Sequence, residues 1–91
     1  MFTIFTYTVP VQDRVSVDMP RLAEILHIGE QVPGTLAVWA RVKSDVSRAK
    51  RQFRIAGTGH ELTPREATYP HLATVQCASG LVWHIFDAGE V

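Results

Sequence analysis

Four histidines, a single cysteine and one glycine-rich tetrad are the residues of this chain whose types could do chemistry. His27, His60, His71 and His84 show no i, i+4 pair of the kind that holds zinc on a helix, and Cys77 has no partner cysteine. The repeats His60-Glu61-Leu62-Thr63 and His71-Leu72-Ala73-Thr74 resemble two-histidine phosphoesterase motifs at first sight. That chemistry needs each histidine one residue from its hydroxyl on a strand, so that both side chains face one pocket. Here the interval is three, and the two repeats lie too close together. Cys77 alternates with Ala73 and Val75, which predicts a small buried apolar residue rather than a nucleophile. No Gly-x-Ser-x-Gly elbow occurs. The expectation is a non-enzymatic protein with no catalytic residues, no metal and no cofactor.

Two further features concern binding. Gly57-Thr58-Gly59-His60 follows a predicted strand, and paired glycines allow a positive φ or a close backbone approach to an anion. Pro64 and Pro70 interrupt the next segment, so neither a phosphate loop nor a dinucleotide fingerprint is present. The tetrad reads as a turn at a strand end, with a ligand loop beside Arg54 as the alternative. The second feature is charge. The total is zero, yet six of the nine basic side chains (Arg41, Lys43, Arg48, Lys50, Arg51 and Arg54) fall between positions 41 and 54, with only Asp45 against them. Trp39, Arg41 and Lys43 alternate onto one face. A basic ribbon beside an indole could dock an acidic protein surface, where Trp and Arg are common anchors. It could track a phosphate backbone, which the neutral total argues against. It could also be a solvated edge whose charges prevent aggregation.

These groups must be carried by strands. At 46% apolar and 20% charged residues, the 91-residue chain can bury one core and makes a single domain, residues 1–91. Period-two runs separated by turns predict strands at Phe2–Val9, Arg14–Val17, Ile25–Gln31, Thr35–Lys43, Gln52–Ala56, Leu72–Ala78 and Leu81–Phe86. Val32-Pro33-Gly34 and Ser79-Gly80 supply hairpin turns, and Ser44–Arg51 reads as a basic connection. Asp18, Pro20 and Gly29 could bracket a short helix. It would hold only about two turns, so the preferred reading is a turn through Met19–Ala23 followed by a strand. The expected fold is all-β, a small antiparallel sandwich or barrel of about seven strands with at most one short helix. Within Thr35–Lys43, Leu36, Val38, Ala40 and Val42 should face inward. Leu81–Phe86 is apolar on both faces and should be central or inside a homo-oligomer. No apolar run approaches a membrane span, and the start shows no basic region of a signal peptide. One cysteine in a chain without disulfides suits a reducing cytoplasm.

The blocks Ile25–Gln31, Leu36–Ala40, Phe53–His60 and Val82–Phe86, with the opening Tyr7-Thr8-Val9-Pro10, resemble a family of small uncharacterised proteins of actinobacterial phages and bacteria. Gly-Thr-Gly-His and Val-Trp-His are the most specific parts of that resemblance. It implies a phage accessory protein made in the host cytoplasm that contacts a host protein, and it brings no established activity.

Overall fold

The computed structural model describes all 91 residues as seven antiparallel strands in two sheets. The strands are β1 (Phe2–Pro10), β2 (Arg14–Pro20), β3 (Glu24–Val32), β4 (Thr35–Lys43), β5 (Arg48–Gly57), β6 (His71–Gln76) and β7 (Val82–Glu90). One 3-10 turn spans Glu66–Thr68 and is the only helical element. The three-stranded sheet has the order β1-β4-β3, and the four-stranded sheet β2-β5-β7-β6.

Alternation along β4 builds one half of the core. Leu36, Val38, Ala40 and Val42 are all buried, as their period predicts. Phe53, Ile55 and Ile85 of the other sheet belong to the same buried cluster, together with Val9, Met19, Ile28 and Val75. Pro33 and Gly34 form the two-residue turn between β3 and β4, and Gly34 takes a φ of 83° that a side chain would resist.

The segment Asp18–Gly29 contains no helix. β2 runs on to Pro20, Arg21 and Leu22 turn, and β3 begins at Glu24. Leu22 occupies the left-handed region at φ 60°, and its N–H donates to the Glu90 carboxylate. The Arg21 N–H donates to the Ser47 carbonyl at 2.9 Å. Tertiary partners thus impose a turn where local capping signals allowed a helical start.

Several strand boundaries differ from the sequence reading. β5 begins at Arg48, so half of the expected Ser44–Arg51 connection is strand. Its inward pattern was hidden because one inward position, after Ala49 and before Phe53, is the charged Arg51. β7 continues past Phe86 to Glu90, across a register shift opposite Gln52 and Phe53. Leu81 lies outside β7 and is exposed, and β6 ends at Gln76, before Cys77. Central β7 remains half-buried around a buried Ile85.

Residues 58–70 fold back over the outer surface of the four-stranded sheet and bury Arg54 there. Thr63 and Glu66 form a reciprocal cap. Glu66 N–H donates to Thr63 Oγ1 at 3.1 Å, and Thr63 N–H donates to Glu66 Oε1 at 3.0 Å. Pro64 takes the first position of the turn, where no donor is needed. The Thr-Pro-Arg-Glu spacing was a readable signal for this turn.

Candidate functional site

The structure divides the seven candidate binding residues between two sheets. Trp39, Arg41 and Lys43 lie on β4; Arg48, Lys50, Arg51 and Arg54 lie on β5. They do not form one continuous basic ribbon. Most also meet a carboxylate that sequence distance concealed.

Arg51 points into the molecule. Its Nη2 and Nε donate to the two oxygens of Asp87 at 2.6 and 3.0 Å, and Nη1 donates to the Ala23 carbonyl at 2.7 Å. The Arg51 and Asp87 side chains are 12% and 18% exposed. The Arg51 hydrogen bonds, followed by the Gly89 N–H, hold the Asp87 carboxyl below its usual range. Arg54 is 5% exposed. Its Nη1 donates to the carbonyls of Asp13 and Ile55 at 3.1 and 2.7 Å, and Nη2 to that of Glu61 at 3.1 Å. Nε lies 3.2 Å from Glu66 Oε1 without being aimed to donate, so that contact is an ion pair rather than a hydrogen bond. Glu66 also accepts from Arg14 Nε at 2.8 Å. Its carboxyl is lowered to about 2, first by the Thr63 N–H and then by Arg14 and Arg54. Lys50 pairs with Asp18 at 3.2 Å in the open, and Arg48 reaches the Asp18 carbonyl at 3.4 Å. Arg51 and Arg54 are therefore structural, and Lys50 is locally neutralised.

On the three-stranded sheet the neighbours are different. Register places Phe2 opposite Lys43, Ile4 opposite Arg41 and Thr6 opposite Trp39. Directly paired residues share a face, so Phe2, Ile4, Trp39, Arg41 and Lys43 make one outer surface. Phe2 is 69% and Ile4 57% exposed. β3 contributes His27, whose ring centroid is 5.6 Å from that of Trp39, and Glu24, which accepts from Arg41 Nη1 at 3.0 Å. Two cations and one carboxylate leave this face mildly basic around an apolar and aromatic centre. The exposed Phe2 and Ile4 were missing from the sequence-based site. Their alternation was visible, but the side of the strand left uncovered was not.

The glycine tetrad is a closed turn. His60 N–H donates to the Gly57 carbonyl at 3.0 Å, with Gly59 at φ 90°. Gly57 N–H donates to His60 Nδ1 at 3.1 Å, so the first and last N–H groups of the tetrad are both used within the turn. The His60 ring lies against Gly57, where an added Cβ would come within 3.0 Å of it. The same ring meets the Trp83 edge at a centroid distance of 6.3 Å. Gly57 pairs with Trp83 and Ala56 with His84 across β5 and β7. The two most distinctive sequence blocks therefore form one structural unit. A hydroxyl–imidazole chain continues from it. Thr58 Oγ1 lies 2.7 Å from His84 Nε2, His84 Nδ1 3.0 Å from Thr74 Oγ1, and Thr74 Oγ1 2.9 Å from His71 Nε2. Neutral imidazoles can complete this chain in a single donor direction. Arg54, the cation expected to serve a ligand here, is committed to Glu66 and three carbonyls.

Cys77 is half-buried and free, and burial together with the nearby Glu30 raises its thiol pKa. No group of three His, Cys, Asp or Glu side chains is arranged to hold a metal ion. No helix is long and apolar enough to cross a membrane.

Fold and surface together define a class: a seven-stranded antiparallel β-sandwich with an exposed aromatic and basic sheet face. Over residues 1–90 the chain matches the family described as Domain of unknown function (DUF7352), and it belongs to that family. No curated protein and no solved structure matches it.

Proposed function

We propose that this is a non-enzymatic accessory protein of phage origin that binds a host protein in the bacterial cytoplasm, as a homo-oligomer, through the outer face of its three-stranded sheet. One observation carries the choice of face: Phe2 and Ile4 stand exposed directly beside Trp39, Arg41 and Lys43. An apolar centre with an indole and arginine at its side is the usual make-up of a protein-binding hot spot. The rim charge selects a partner surface that is acidic on balance. The family resemblance supplies the phage and host part of the reading.

The test is capture of host proteins by the wild type and by a Trp39→Ala, Lys43→Glu variant, with the captured protein identified in each case. Neither side chain belongs to the core cluster, so the variant should melt within a few degrees of wild type and lose at least tenfold in capture. A variant that stays folded and captures the partner fully removes this face from the function.

A second reading rests on the Thr58–His84–Thr74–His71 chain, which opens beside a shallow cavity of about 260 Å³ between the Gly57–His60 turn and Trp83. This surface would hold a small anionic, nucleotide-like ligand. A thermal-shift series with nucleotides tests it, since a ligand at 100 times its Kd adds about 2.7 kcal/mol.

A further inference from the structure

β1 ends the three-stranded sheet, and its outer side has no partner. Ser44 N–H donates to the Met1 carbonyl at 2.9 Å, so Met1 and Ser44 are a hydrogen-bonded pair. Antiparallel ladders alternate such pairs with non-bonded ones. Thr3, Phe5, Tyr7 and Val9 therefore bond to β4, while the N–H and C=O groups of Phe2, Ile4, Thr6 and Thr8 point away from it.

The other three edges carry devices that discourage pairing. β2 has Arg14, Asp18 and Pro20. β3 has two register irregularities and the charges of Glu24 and Glu30. β6 is six residues long and irregular between His71 and Ala73. β1 has none of these from Phe2 to Val9: no charge, no proline and an unbroken register with β4. An undefended edge of this length is a ready template for a further strand.

We infer that a second copy of this chain supplies that strand, by antiparallel β1–β1 pairing about a two-fold axis through Phe5. This specifies the interface of the homo-oligomer proposed above. The choice of a second copy rests on self-complementarity. With the axis at Phe5, Phe2 meets the other copy's Thr8, Ile4 meets its Thr6, and Thr3 meets its Tyr7. All four outward-pointing residues then fall in hydrogen-bonded pairs, and none is wasted. An axis at Ile4 leaves Thr8 unpaired, and an axis at Thr6 sets Phe2 against Pro10, which has no N–H. At the axis itself the two Phe5 side chains meet in a non-bonded pair, the closer kind. Phe5 lies on the core side of β1 yet is 40% exposed, which leaves room for its counterpart. The charges permit this arrangement too. Arg41 and Lys43 lie one strand in, so the two β4 strands are about 14 Å apart by strand spacing, beyond the roughly 8 Å screening length at physiological salt. The result is a six-stranded sheet whose outer surface joins both copies of the Phe2, Ile4 and Trp39 face.

Sedimentation and covalent trapping test this independently of partner capture. Wild type at tens of micromolar should sediment at twice the 10.1 kDa chain mass. Thr6→Pro removes an N–H that points away from β4, so it should give a monomer with an unchanged far-ultraviolet spectrum. In a Cys77→Ala background, Phe5→Cys should oxidise to a covalent dimer at least tenfold faster than Phe2→Cys, whose sulfurs the axis keeps far apart. A monomeric wild type, or one that grows into larger species, overturns the pairing. So does equal trapping at the two positions. If Thr6→Pro fails to fold, the cysteine pair alone decides. A confirmed dimer that captures no host protein would leave this interface standing and remove the proposed function.

Discussion

Replacing Arg51 separates structural charge from binding charge most sharply. Arg51 and Asp87 share two hydrogen bonds in a site nearly closed to water, and a third bond ties Arg51 to Ala23 in the turn that carries the chain from one sheet to the other. Arg51→Met removes all three and strands Asp87 with only the Gly89 N–H, 2.9 Å away. Breaking a fully buried pair costs about 3–5 kcal/mol. The residual exposure lets water reach the stranded carboxylate, which lowers the expected loss to about 2–4 kcal/mol. In a domain of this size that is a fall in Tm of roughly 10 °C or more. Lys50→Met is the control, on the same strand and one position away. Its pair with Asp18 has both side chains 62% exposed, so it should cost about 0–1 kcal/mol. Urea unfolding at neutral pH measures both. Adding Asp87→Leu to Arg51→Met should recover more than half of the loss, because no charge is then left without its partner. Equal costs for Arg51→Met and Lys50→Met would refute the reasoning and return Arg51 to the solvated surface.

Two further outcomes rest on local geometry. The Glu66 carboxyl is lowered to about 2, below the unfolded value of about 4.3. Its contribution is therefore complete above pH of about 4.3 and is lost as the pH falls through about 2. Glu66→Gln should flatten the acid limb of an unfolding-against-pH curve, and an unchanged limb counts against the Arg14–Glu66–Arg54 cluster. Leu22→Gly should raise stability by about 1 kcal/mol, because a left-handed backbone at φ 60° costs a side chain about that much and Leu22 is 88% exposed. A loss measured by the same urea titration would place Leu22 in a contact the fold does not show.

Much of the architecture was present in the order of residue types. Period two in Thr35–Lys43, with Pro33-Gly34 before it, specified β4, its buried face and its hairpin, because side-chain alternation and turn dihedrals are local properties. Seven strands with almost no helix came from the same rule. Local signals also sufficed for the Gly57–His60 turn, whose hydrogen bonds span only three residues. The sequence placed Trp39, Arg41 and Lys43 on one face for the same reason. What it could not specify were the partners brought by sheet pairing. Asp87 neutralises Arg51 across 36 positions and Glu66 meets Arg14 across 52, so a run that reads as one basic patch becomes two buried clusters and a few exposed cations. The exposure of Phe2 and Ile4 was decided in the same way. Alternation says that two faces differ, but only the packing of one sheet on the other determines which face is covered and which edge is left open.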